Sequence, residues 1–477
     1  MILALDLGTT NWKAAIYNRE GQLMGISSLP APTTEDEGCP CYGPAQIPHF
    51  LLQLIQSLPK HILPQVQAIA LSGMAEAGVL MDMEQTVPVS MVWPWFDRRA
   101  LQTYQQFKDE PLYGNRSAIT GLPNSYKYGI YKLLTMLRKY QAHKPLFLGL
   151  VEYAAFLLTG NTATDETLAA RSYAYDIVNR RFDSDFLNDL GLSADIFPPV
   201  VTSGASIGTL LNNWSLPRGI PVCIAGHDHV CAAHAAGILE TGGVFVSMGT
   251  AMVMLCGVDV LAPKALKSGL SFGPSPAGAR YTCLGSIQSA GGSINFWKGL
   301  LYGGADYSAL LKEAQTTGLP SGMVYLPYLA GSGAPHMNAN AHGALLGITA
   351  SAKREEIITA TYEGISFESR YVLSHMGVFP HLICMGGLTR HQRLMEILSH
   401  VTGLPAAVPS HDEGTLYGAA RLVAGKLAHP FLLPPLRIEK EYMPSPTLFK
   451  QYSNIYHQSY LPCLDLSKND TQEAVES

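Results

Sequence analysis

One short pattern occurs twice, and it constrains the fold more than any other feature of the chain. Near the N-terminus an apolar run, Ile2 to Leu5, meets Asp6-Leu7-Gly8-Thr9-Thr10, after which Trp12 to Tyr17 runs back. Apolar β-formers on both sides of a glycine turn read as a hairpin. Val244 to Met254 repeats the arrangement, with Ser247-Met248-Gly249-Thr250 at its turn, 241 positions after Asp6. An echo at half the chain length implies a duplicated unit, each copy opening with its own hairpin. The length agrees, because 477 residues exceed one ordinary domain of ~100–200 residues.

Other elements follow from pattern and punctuation. Val66 to Leu71 reads as a buried strand ending in Ser72-Gly73, and Ile220 to Ala225 as another that runs into Gly226-His227-Asp228-His229. A small-residue helix is expected from Val230 to Leu239. Helical patterns dominate from Tyr128 to Thr159, closed by Gly160 as a C-cap. In the second half, Leu382 to Met385 is a strand feeding Gly386-Gly387, and a helix follows from Gln392 to Val401. Glu413-Gly414-Thr415 and Gly418-Ala419-Ala420 open a further helix with a small face suited to close packing. The boundary is expected near Gly237–Gly243, giving an N-terminal domain over 1–238, a C-terminal domain over 239–466 and a polar tail over 467–477.

Composition excludes several classes. Apolar residues make up 47%, enough for two cores and too much for a disordered chain. Charged residues are sparse at 14%, which favours large buried or self-associated surfaces, so a homodimer is one expectation. A net charge of −5 without a long basic run argues against nucleic acid or an anionic membrane as partner. No cationic stretch precedes the apolar opening, and no apolar run approaches the ~18 residues of a membrane span. A cytoplasmic protein is expected. Cys223, Cys231, Cys256, Cys283, Cys384 and Cys463 sit among apolar or small residues and read as reduced thiols. Cys39-Pro40-Cys41 falls in a polar stretch expected to be a loop, with no second pair nearby to complete a metal site.

The chemistry the motifs allow is phosphate chemistry. A strand ending in Asp-x-Gly-Thr-Thr exposes backbone N–H groups at Gly8, adds the hydroxyls of Thr9 and Thr10, and offers Asp6 to a hydrated Mg²⁺. Lys13 on the returning strand could reach an oxygen of a transferred phosphoryl group. The turn at Gly249 and Thr250 could hold phosphates from the opposite side. Two ordinary hairpins would leave the same trace. No G-x-x-x-x-G-K-[ST] occurs, and the one G-x-G, at Gly331 and Gly333, carries His336 where a dinucleotide site needs glycine. Asp228, just past a buried strand and a flexible Gly226, can take the proton of an attacking alcohol, or can cap the helix that follows.

Taken in order, these motifs resemble the FGGY carbohydrate kinases, relatives of the actin, hexokinase and heat-shock-chaperone ATPases. The resemblance spans roughly residues 1–430. It rests on Asp6 to Thr10, Trp95-Phe96-Asp97-Arg98-Arg99, Leu158-Thr159-Gly160 with Thr164-Asp165, Gly226-His227-Asp228, and Ser247 to Thr250. Further matches are Leu326-Pro327-Tyr328-Leu329, Ala334-Pro335-His336, Gly343 to Gly347, Gly386-Gly387 and Gly418-Ala419-Ala420. It implies an α/β architecture of two ribonuclease-H-like (actin-like ATPase) domains with a cleft between them. The first would hold mainly the sugar and the second mainly ATP. Asp228 would be the general base and Asp6 the metal position for Mg²⁺. Gly8, Thr9, Thr10, Lys13, Gly249 and Thr250 would surround the phosphates, and Gly386 and Gly387 would lie along the adenosine. Glu76, Trp95, Asp97 and Asp228 would contact substrate, while Lys132 matches a familiar lysine without a catalytic role. The expected activity is phosphorylation of a hydroxyl of a small sugar, a ketose first, with a polyol, a sugar acid or a non-catalytic sensor as alternatives. The chain departs from relatives at Ala75-Glu76, where xylulose kinases resemble one another in Met-His and glycerol kinases have Arg-Glu. His227, His229, His391 and Gln392 are further departures.

Overall fold

The computed structural model describes residues 1–114, 116–211, 214–303 and 307–466. The polar tail expected at 467–477 lies outside the described residues.

Ile2–Leu7 is buried on both faces apart from Asp6, as a strand in the middle of a covered parallel sheet must be. It lies inside a six-stranded sheet ordered Ser206–Thr209, Pro221–His227, Ala68–Gly73, Ile2–Leu7, Asn11–Tyr17, Leu23–Pro30. The three middle strands run parallel, and the hairpin partners and the far edge are antiparallel. The second sheet repeats this order as Ile438–Tyr442, Ala406–Pro409, Leu382–Met385, Val244–Met248, Met252–Val258, Tyr281–Ile287, with Ser271–Pro274 added at its edge. Its strand directions match those of the first sheet one for one. The duplication read from two glycine turns is therefore a duplication of a whole α/β unit.

The two units join through the helices Asp228–Ala235 and Gly414–Ala424. A Cβ on Gly418 would stand 1.8 Å from the Cys231 carbonyl oxygen, so the missing side chain sets how closely the helices approach. Around them lies one apolar cluster drawn from both halves, including Tyr17, Cys231, Phe245, Met385 and Leu416. Tyr17 meets Tyr417 edge to face at 5.3 Å between ring centres.

Several elements differ from expectation. The helical stretch from Tyr128 to Thr159 is two helices, Gly129–Lys139 and Leu150–Thr159, split by the strand Pro145–Leu148. Pro145 cannot continue a helix, and the Leu-Phe-Leu after it pairs with Val79–Asp82 and buries. The strand expected from Val66 is Ala68–Gly73, and the one expected to stop at Ala225 continues to His227. The helix after it starts at Asp228 and ends at Ala235, because Gly237 turns left-handed at φ 74°. Cys39–Tyr42 is not a loop but a strand paired with Thr33–Asp36, and it buries Cys41. All eight cysteines are free thiols. Among the described residues no helix is long and apolar enough to cross a membrane, and no group of three His, Cys, Asp or Glu side chains is placed to hold a metal.

Candidate active site

Register brings the first group of candidate residues together. Asp6 pairs with Ser72, and Ser72 with Gly226, so three parallel strands end side by side. Ligands of open α/β sheets bind outside such carboxyl ends. Asp6 Oδ1 is buried with no hydrogen-bond partner. Burial, and then the charge of Asp228, push its carboxyl well above the usual range. Asp228 is the first residue of its helix, and Oδ1 accepts from the His229 backbone N–H at 2.6 Å, with His227 Nε2 at 3.2 Å. The N-cap residue of the helix is His227, which makes no side-chain capping bond, and Asp228 Oδ1 takes one first-turn N–H instead. Burial raises Asp228 too, opposed by His229 and Arg171. His227 is pushed well below its ordinary value by burial, His229 and Arg171, which keeps the ring neutral beside the carboxylate.

The turn carrying Asp228 is braced from behind. Gly226 adopts φ 117°, and a Cβ there would stand 2.3 Å from Thr167 Oγ1 and 2.6 Å from Asp165 Oδ2. Thr167 Oγ1 accepts the His227 N–H at 2.9 Å and donates to Asp165, which also receives Ser203 Oγ. Ser72 Oγ donates to the Gly226 carbonyl at 2.9 Å.

Beside this turn sits a charged pocket. Glu76 holds a left-handed backbone at φ 59°, and its carboxylate receives Arg171 Nε at 2.6 Å. Arg171 lies over the Tyr128 ring at 5.3 Å. Trp95 Nε1 donates to Thr9 Oγ1 at 3.0 Å, tying the pocket wall to the first glycine turn, and Lys127 Nζ lies 5.1 Å from the Trp95 ring centre. The structure does not bring Asp97 here. Its side chain is fully buried and both oxygens are taken by Arg99, which also reaches Asp36 and covers Trp93. Lys132 is buried and donates to the Lys127 carbonyl. Arg171 and Lys127 escaped the sequence reading. The available signal was a single arginine inside the otherwise small, apolar run Leu168-Ala169-Ala170.

The second turn faces a cavity of about 590 Å³ lined by Gly249, Thr250, Gly291, Asn295, Leu311, Gly387 and His391, among others. The Gly291 and Gly292 N–H groups donate to the carbonyls of Gly249 and Thr250, seating the turn on the N-terminus of the helix Ala290–Tyr302. Gly386, at φ 112°, does not line the cavity. A Cβ on it would stand 2.6 Å from the Met248 carbonyl, so it lets the strand turn under the loop while Gly387 faces the space. His391 hydrogen-bonds the Tyr362 hydroxyl at 2.8 Å, and burial lowers it to about 4. Gly8 sits where a Cβ would meet the Asn11 carbonyl at 2.9 Å, and Thr9 and Thr10 are exposed at the turn. Lys13, partly exposed, is held across to the second half by Glu413 at 2.8 and 2.9 Å.

The duplicated sheets, with a carboxylate pair beside one glycine turn and a cavity of about 590 Å³ beside the other, have counterparts among known proteins. The N-terminal domain of the FGGY family of carbohydrate kinases matches residues 1–235, and the C-terminal domain matches residues 244–426. The chain belongs to the FGGY family of carbohydrate kinases. It is therefore a phosphotransferase, with ATP and a small sugar as its substrates. The xylulose kinase of Bacillus subtilis (strain 168) is 24% identical, covering 95% of this chain and 96% of that protein. The glycerol kinase of Halothermothrix orenii (strain H 168) is 27% identical, covering 88% of each. The ligand-bound xylulose kinase of Lactobacillus acidophilus shares the two-domain fold at a TM-score of 0.88, with 20% identity over 98% of each chain.

Proposed function

We propose that this FGGY kinase transfers the γ-phosphoryl group of ATP to a hydroxyl of a small sugar, with Asp228 as general base. The observation that carries the reading is the position of Asp228. It is a half-buried carboxylate with a raised pKa, at the carboxyl end of a parallel strand, beside a second buried carboxylate and a charged pocket. The substrate oxygen gives its proton to Asp228 and bonds the γ-phosphorus as the bond to the β-phosphate oxygen breaks. The backbone N–H groups and hydroxyls of Gly8, Thr9, Thr10, Gly249 and Thr250 hold the phosphates in this scheme, with Lys13 at their edge. Gly387 borders the adenosine, and Gly386 shapes the loop. The domain boundary belongs in the glycine-rich segment 237–243, between the two sheets.

Asp6 suits Mg²⁺. Its buried Oδ1 lacks a partner, its carboxyl is raised by burial and by the charge of Asp228, and Mg²⁺ needs few protein oxygens because water and phosphates complete its shell. When bound there, the ion would neutralise charge on the nucleotide. Glu76 and Arg171 orient the acceptor, and Trp95 closes that side.

The test is ADP release with Mg-ATP across ketoses, aldoses, polyols and sugar acids, with Asp228→Ala in parallel. Substrate-dependent release by wild type, reduced at least ~10²-fold in Asp228→Ala, supports the reading. Equal stimulation of both proteins would show that the base lies elsewhere.

A further inference from the structure

We infer that Lys127 is a specificity residue of this pocket, and that the substrate carries a carboxylate that meets it. The inference rests on the kinase reading and names the substrate class within it.

Geometry comes first. Lys127 precedes the helix Gly129–Lys139, and its backbone is pinned from within that helix, where the buried Lys132 Nζ donates to the Lys127 carbonyl at 2.5 Å. Its ammonium stands 5.1 Å from the Trp95 ring, on the residue whose indole bonds Thr9. The side chain is therefore positioned at the wall of the site.

Charge comes next. The neighbouring carboxylate, Glu76, is engaged by two nitrogens of Arg171. Among the described residues no carboxylate lies within ion-pair distance of Lys127 Nζ. Arg171 feels the charge of both Glu76 and Asp228, whereas Lys127 feels Glu76 and Arg171. Burial lowers the Lys127 pKa, as it does for a cation short of counter-charge.

A half-buried ammonium without an anion is costly unless its ligand supplies one. A neutral sugar offers hydroxyls, which Glu76 and Asp228 already serve as acceptors. A carboxylate on the substrate would make a charge-assisted hydrogen bond to Lys127, while the aromatic face of Trp95 supplies the remaining compensation.

The experiment measures binding by calorimetry, without nucleotide, for aldonates and ketoaldonates of four to six carbons against the polyols and ketoses of matching length. Wild type, Lys127→Gln and Lys127→Arg are compared, and ADP release with Mg-ATP is read separately. Wild type is expected to bind at least one acid tenfold or more tightly than its neutral counterpart. Lys127→Gln should erase that ratio, and Lys127→Arg should keep most of it. Equal wild-type affinity for acids and neutral counterparts overturns the inference. So does an equal loss on every compound in Lys127→Gln, which would mark a structural or phosphoryl contact. A Lys127-dependent preference for acids without ADP release would uphold the inference and defeat the kinase reading. Efficient turnover of a neutral ketose with no acid preference would do the reverse.

Discussion

At the residue scale, the side chains that were legible are those a strand end forces into place. Asp6 and Asp228 each sit at the end of a buried strand beside a glycine turn, so their positions follow from local pattern. Arg171 and Lys127 come from a short helical segment and a loop, and only tertiary packing sets Arg171 on Glu76 and Lys127 against Trp95. Asp97 shows the converse, since a family-like motif fixed its neighbourhood but Arg99 claims its oxygens. The carboxylate environments fix a pH dependence. The proposed base Asp228 acts unprotonated, and burial raises its pKa above the ordinary 3.8. The rate should therefore rise with pH through an acid limb whose midpoint lies above that value. The limb belongs to the interacting Asp6–Asp228 pair rather than to either alone. His227 is held neutral, so His227→Asn should leave the limb's midpoint in place even if the rate falls. A pH profile of kcat/KM for both proteins checks this, and a limb that vanishes in His227→Asn would reassign the titrating group.

At the element scale, strands flanked by glycine were read nearly to the residue, whereas the stretch from Tyr128 to Thr159 was not. Helical spacing and a short apolar strand look alike over four residues, and Pro145 was the one signal that separated them. Gly418 makes an element-scale prediction. Gly418→Ala puts a methyl group into the Cys231 carbonyl, so the helices Asp228–Ala235 and Gly414–Ala424 must separate. Overpacking of this kind costs roughly 1–3 kcal/mol. A calorimetric Tm several degrees lower is expected, with a fall in kcat because Asp228 opens one of the two helices. An unchanged Tm would mean that the interface yields freely. The long helix Arg354–Met376 makes another. It buries Glu368 against the hydroxyls of Tyr328 and Tyr460, and burial raises that carboxyl from 4.5 to about 7. The folded state therefore binds this proton more tightly than the unfolded chain does, and the stabilisation is lost as pH rises from about 4.5 to about 7. The depressed histidines His227 and His391 act in the opposite sense, so the difference from Glu368→Gln is diagnostic. Wild type should lose stability relative to Glu368→Gln across that interval, as read from denaturant midpoints. A constant difference would show that Glu368 is already ionised in the fold.

At the scale of the whole molecule, the duplication was visible because each copy repeats its turn chemistry, but the packing between the copies was not. No sequence rule pairs Lys13 with Glu413, 400 positions apart. Yet this contact joins the strand after the first glycine turn to the helix at the domain junction. The pair is about a quarter to a third exposed, 32% for Lys13 and 24% for Glu413, so its direct contribution to stability is expected to stay within ~1 kcal/mol. Its effect should instead be functional, since Glu413 holds the Lys13 ammonium at the edge of the proposed phosphate site. Lys13→Met should lower kcat/KM for ATP by roughly 10–10²-fold, the scale of one lost charge-assisted contact to phosphate. Glu413→Gln should lower it less, because the cation remains but is no longer aimed. The double variant should be no worse than Lys13→Met, because both changes act through one ammonium. Steady-state kinetics at saturating sugar, with Tm measured alongside, separate this from a packing defect. Multiplicative losses in the double variant would mean that Glu413 acts on the nucleotide by a route of its own. A Tm drop that tracks the kinetic loss would make the bridge a structural clamp between the domains.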